Sequence, residues 1–155
     1  MDDPTESSQW RGVHQLLGRI DGEIGRIYTD RQIEGLKPTY VMELLRLHIR
    51  GPMTITELAE SVGRTHSALS QKVAAMRRAG LVRTVPGVDA RSKKVTLTAK
   101  SKQLVDLLAA EWRATEAVIT ELEAELPYPL TQVVQDIEAA LARKSFYDRV
   151  AEKLQ

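Results

Sequence analysis

Glycine and proline cut the middle of this chain into pieces too short for anything but small helices and a hairpin. Gly51-Pro52, Gly63, Gly80 and Pro86-Gly87 are the cuts, and both residue types end or interrupt regular structure. After the first, Thr54-Ile55-Thr56-Glu57 has the capping-box pattern that starts a helix. Leu58, Ala59 and Val62 turn inward from it. After Gly63, Thr65 caps a second helix. Leu69, Val73 and Met76 follow a four-then-three spacing and face a core, while His66, Ser67, Ser70, Gln71 and Ala74 fall on the other side. Beyond Gly80, Leu81-Val82-Arg83-Thr84-Val85 predicts a strand. Lys94-Val95-Thr96-Leu97-Thr98 predicts its antiparallel return, across a turn that begins at Pro86-Gly87.

Longer helical patterns flank this centre. From about residue 8 to 33, Trp10, Val13, Leu17, Ile20, Ile24 and Ile27 alternate spacings of three and four. That is the seam of a helix packing on another helix, so it needs a partner: the C-terminal helix or a second subunit. Pro38 suits a first helical turn, followed by Val41, Leu44, Leu45 and Leu47. From about residue 99 to 126, Leu104, Leu108, Trp112, Ile119 and Leu122 mark one helix, broken by Pro127-Tyr128-Pro129. A single last helix is expected from Leu130, carrying Val133, Val134, Ile137, Leu141, Phe146 or Tyr147, and Val150.

The net charge of +1 conceals a segregation. Residues 64–102 hold ten Lys or Arg and one acid, Asp89, for +9, which leaves −8 on the rest. A basic centre in an acidic frame is the footprint of a protein that meets a polyanion with one face.

Several classes are excluded or disfavoured. With no Cys there is no disulfide, thiolate zinc site, thiol nucleophile or cysteine redox sensor. His14, His48 and His66 are isolated, so no metal site is expected. No apolar run approaches the roughly 18 residues of a membrane span, and the acidic start Met1-Asp2-Asp3-Pro4 is no secretory signal. A cytoplasmic protein is the expectation. Gly18 and Gly22 lie inside a helical pattern, not in a phosphate loop, and no Ser/His/Asp arrangement stands out. An enzyme is not expected, nor a cofactor.

Two short helices and a tight turn, then a hairpin, is the order of a winged helix-turn-helix, whose second helix enters the major groove N-terminus first. The expected class is mainly α with a small β-hairpin wing (α+β). The expected DNA-binding residues are Thr65, His66, Ser67, Ser70, Gln71 and Lys72 on the helix, and Asp89, Arg91, Lys93 and Lys94 on the wing. Gln71 can bond adenine bidentately, and a serine can serve several bases. Lys72, with Arg77 and Arg78, is expected at phosphates. Arg91 suits a narrow minor groove, with Asp89 orienting its guanidinium; a plain hairpin salt bridge is the alternative.

The stretch 54–63, the helix 65–76, Gly80-Leu81-Val82, the triplet Asp89-Ala90-Arg91 and Val95-Thr96-Leu97-Thr98 together resemble the MarR family of regulators. The likeness spans the chain in helix order and is most specific over residues 36–104. Ser101 departs from it, standing where the family usually has glycine. The resemblance implies a cytoplasmic homodimer joined by residues 1–35 and 125–155. Residues 36–103 would form the DNA-binding domain and 104–124 a connecting helix. It further implies a repressor on a palindromic double-stranded operator, released by a small aromatic or phenolic effector. His14, Tyr40, His48, Trp112 and Arg113 are the candidate effector residues. The alternative is a winged-helix module serving as a protein-interaction or architectural DNA-binding factor without effector.

Overall fold

The computed structural model describes residues 3–89 and 92–154. Among them seven α-helices and one hairpin follow in order. They are α1 (Arg11–Asp30), a 3-10 turn (Pro38–Tyr40), α2 (Val41–Arg50), α3 (Ile55–Ser61), α4 (His66–Arg78), β1 (Val82–Pro86), β2 (Lys93–Leu97), α5 (Ala99–Ala124), α6 (Leu130–Arg143) and α7 (Phe146–Lys153). The chain divides into two units, Met1–Ala110 and Glu111–Gln155, with the boundary inside α5. No helix of the described residues is long and apolar enough to cross a membrane.

The core of the first unit is built from the inward positions of α2, α3 and α4, the hairpin and the first part of α5. Leu44, Leu58, Leu69, Met76, Leu81 and Leu108 are fully buried, with Val41, Leu47, Val73, Val82, Val95 and Leu97 nearly so. Each such side chain contributes about 1.5–3 kcal/mol by leaving water, which anchors the short helices that propensity alone would not hold. The Thr54 box forms: the Glu57 N–H donates to Thr54 Oγ1 at 3.1 Å and the Thr54 N–H donates to Glu57 Oε2 at 2.7 Å. Both short helices end on a left-handed glycine. Gly63 and Gly80 have φ of 65° and 72°, which lets the Arg64 N–H reach the Ala59 carbonyl and the Leu81 N–H reach that of Met76, each at 2.9 Å.

The hairpin pairs Val82 with Leu97 and Pro86 with Lys93. Met53 adds a third, one-residue strand by exchanging both backbone hydrogen bonds with Val95, at 3.1 and 2.7 Å. This pins the wing to the segment between α2 and α3.

The second unit differs from expectation in one respect. The single last helix is two, because Lys144 is extended (φ −153°, ψ 118°) and Ser145 starts a new helix. Ser145 Oγ accepts from the Asp148 N–H at 3.1 Å and donates to the Asp148 carboxylate at 2.7 Å. Within this unit Glu123 ties the end of α5 to the start of α6. Its carboxylate accepts from the Thr131 hydroxyl at 2.7 Å and N–H at 2.8 Å, and these bonds hold its pKa below the ordinary value.

Candidate nucleic-acid interface

The chain presents α4 by burying one side of it and capping its start. Leu69, Val73 and Met76 go into the core. Thr65 Oγ1 accepts from the Ala68 N–H at 3.2 Å, leaving the helix to begin in solvent. His66, Ser67 and Gln71 are exposed and Ser70 is half-buried. The outward side of the first turns is therefore small and hydrogen-bonding, as base-edge contact requires.

The cations of residues 64–102 fall into two groups. Arg64, Arg78, Arg83 and Lys93 are exposed, and Arg77 is exposed while donating to Thr84 Oγ1 at 3.2 Å. Others are committed to the protein. Lys100 Nζ donates to the carbonyls of Glu34 at 2.9 Å and Ala79 at 3.4 Å. Lys72, expected at phosphate, folds back from α4 instead. Its Nζ lies 2.7 Å from Glu43 Oε1 and 2.8 Å from the Thr39 carbonyl. This pairing was not readable from the sequence, because Glu43 lies a whole helix away, where no spacing rule reaches it. Lys94 is half-buried at the foot of α3, near Glu57. The Glu57 pKa is lowered, first by the Thr54 hydrogen bonds and least by the Lys94 charge.

The wing is closed at its base. The Gly87 N–H donates to the Ser92 carbonyl, and the Ser92 N–H to that of Asp89, both at 2.8 Å. Asp89 is exposed and Val88 stands out at the tip. Arg91 lies outside the described residues, so the expected Asp89–Arg91 orientation has no geometry here.

The end of the interface helix is held by a polar knot that composition did not reveal. Thr98 Oγ1 donates to the Gly80 carbonyl at 2.7 Å. Ser101, fully buried, donates to the Leu81 carbonyl at 2.5 Å and accepts from the Thr98 N–H at 3.1 Å. The Thr-x-x-Ser pattern at 98–101 was the readable signal, a reciprocal cap on α5. A glycine at 101 would leave that space and those bonds empty.

Of the five effector candidates, His14, Tyr40 and His48 lie in the first unit and Trp112 and Arg113 in the second. Tyr40 is a core residue with Lys37 Nζ 5.9 Å from its ring centre. His14 is exposed, its Nδ1 2.9 Å from the Trp10 carbonyl oxygen of its own helix, and His48 is exposed on α2. In the second unit Trp112 is half-buried and Arg113 exposed. No group of three metal-ligating side chains occurs among the described residues.

A helix-turn-helix whose second helix is followed by a hairpin defines a winged helix-turn-helix protein. The comparisons narrow the class. Residues 39–104 match the family model described as HVO_A0114. The transcriptional regulator MosR of M. tuberculosis, solved in complex with DNA, is 27% identical, with 89% of this chain and 99% of that chain covered and a TM-score of 0.60. The S. aureus MepR–DNA complex is 16% identical, with 88% and 98% covered and a TM-score of 0.63. A MarR protein from Peptoclostridium difficile is 15% identical, with 100% and 97% covered and a TM-score of 0.59. No curated protein matches the sequence. The chain shares the winged helix-turn-helix fold of these MarR-type regulators.

Proposed function

We propose that this protein is a sequence-specific transcriptional regulator that binds double-stranded DNA as a homodimer, each subunit setting α4 into the major groove of one half of a palindromic operator. The observation that carries this is the exposed start of α4: His66, Ser67 and Gln71 turned to solvent, with exposed Arg64, Arg78, Arg83 and Lys93 in the same basic stretch. Side chains suited to reading bases thus share one stretch of the chain with exposed cations suited to holding phosphates. The MosR and MepR complexes with DNA support the same use of the fold. The homodimer is supported by α1, which buries only Tyr28 and leaves Val13, Leu17 and Ile27 exposed, as is Trp10 just before it. Patches of that kind mark association surfaces.

Repression is the simplest outcome of such binding, since a dimer lying across a promoter blocks polymerase. The test is selection of duplexes from a random-sequence pool by the full chain. The proposal expects an enriched, two-fold symmetric sequence with half-sites about one helical turn apart. A pool that stays random after repeated rounds contradicts it.

A further inference from the structure

Lys72 follows Gln71 on α4, yet it ends on Glu43 of α2 and on the Thr39 carbonyl at the entry to that helix. Glu43 is 1% exposed, and its Oε2 has no hydrogen-bond partner among the described residues. A buried carboxylate with one oxygen unsatisfied is no gain over a packed apolar pair, because desolvation offsets the attraction. Stability therefore does not account for it. Direction does. An apolar contact tolerates sliding, whereas a charged hydrogen bond fixes donor and acceptor within a few tenths of an ångström. Holding the Lys72 stem holds the roll of α4 about its own axis, and successive helical residues point about 100° apart. Even a modest roll thus re-aims Gln71 and Ser67.

We infer that Glu43 and Lys72 are positioning residues: their ion pair sets the roll of α4 on α2, and so the direction in which His66, Ser67 and Gln71 meet the bases, while Lys72 neutralises no phosphate. The inference rests on the DNA-binding reading above.

The test compares the wild-type chain, Lys72→Met and the double variant Glu43→Leu/Lys72→Met. The probes are a duplex selected from a random pool by the wild type and a scrambled duplex. In thermal melts Lys72→Met falls well below wild type, and the double variant recovers to near it. In anisotropy titrations the double variant loses at least about tenfold in its preference for the selected duplex, while its salt slope stays that of wild type. Three results overturn the inference. One is a salt slope smaller by about 1.8, about 0.9 for the Lys72 of each subunit, which makes Lys72 a phosphate contact. Another is undiminished preference in the double variant, which leaves the pair nothing to aim. The last is a double variant that melts no higher than Lys72→Met, which denies the coupling. A wild type that selects no sequence, with the melting cycle intact, counts against the DNA reading rather than against the pair.

Discussion

Gln71 lies in the second turn of α4 with its side chain in solvent, and Ser101 lies at the start of α5 with none of its surface exposed. The two positions separate reading from holding. On the proposed reading, replacing Gln71 by Ala would remove a bidentate partner for a base while leaving the buried residues of α4 in place. Affinity for a selected duplex is expected to fall by about 1–3 kcal/mol, with little change on scrambled DNA; equal losses on both duplexes would make Gln71 a backbone contact. Ser101→Ala does the reverse. It removes a buried hydroxyl from the Leu81 carbonyl and the Thr98 N–H, and is expected to cost about 1–3 kcal/mol in denaturant unfolding. An unchanged midpoint would deny the knot its role. Gln71 was legible because exposed helix positions follow from spacing. Lys72 was not: a lysine on a half-buried flank reads the same whether it meets a phosphate or a carboxylate brought in from α2.

Among the elements, α3 makes the clearest case for local rules. Thr54→Ala is expected to destabilise the first unit by about 0.5–2 kcal/mol. Glu57 adds a pH dependence whose sign follows from its lowered pKa. Its folded form releases the proton more readily than the unfolded form. The box is therefore at full strength above the ordinary glutamate value of 4.5 and weakens as pH falls through the lower, folded one. Melts of wild type and Glu57→Gln from neutral to acid pH should converge only in that acid range; a constant difference would contradict the assignment. The capping box and the glycine stops were readable because each is a short pattern with its own mechanism. Two features were not. Met53 pairs through a single residue, too short for any alternation. The Lys144–Ser145 break hides because no glycine or proline marks it and apolar residues stand on both sides, and only the Ser145-to-Asp148 cap discloses a new start.

At the scale of the whole molecule the open surface is apolar as well as basic. Trp10, just before α1, is 54% exposed and Leu17 on it 53%, and α6 and α7 bury none of their residues. The proposed homodimer would cover such surface, and α1 is the element to break. Val13→Glu/Leu17→Glu is expected to give a folded monomer by light scattering, with affinity for a two-fold site reduced at least about a hundredfold as one half-site's contacts are lost. A double variant that remains dimeric would place the interface elsewhere. The apolar seam of α1 was legible from its spacing, but the identity of its partner is not a property of one chain's pattern.

The central claim is that this surface reads DNA sequence. Fluorescence anisotropy across a salt series, with a selected duplex against a scrambled one, tests it most directly. The account predicts at least about a thousandfold preference for the selected duplex, two subunits per site, and a steep fall in affinity with salt from the exposed arginines. Equal affinity for the two duplexes, or binding indifferent to salt, would contradict it.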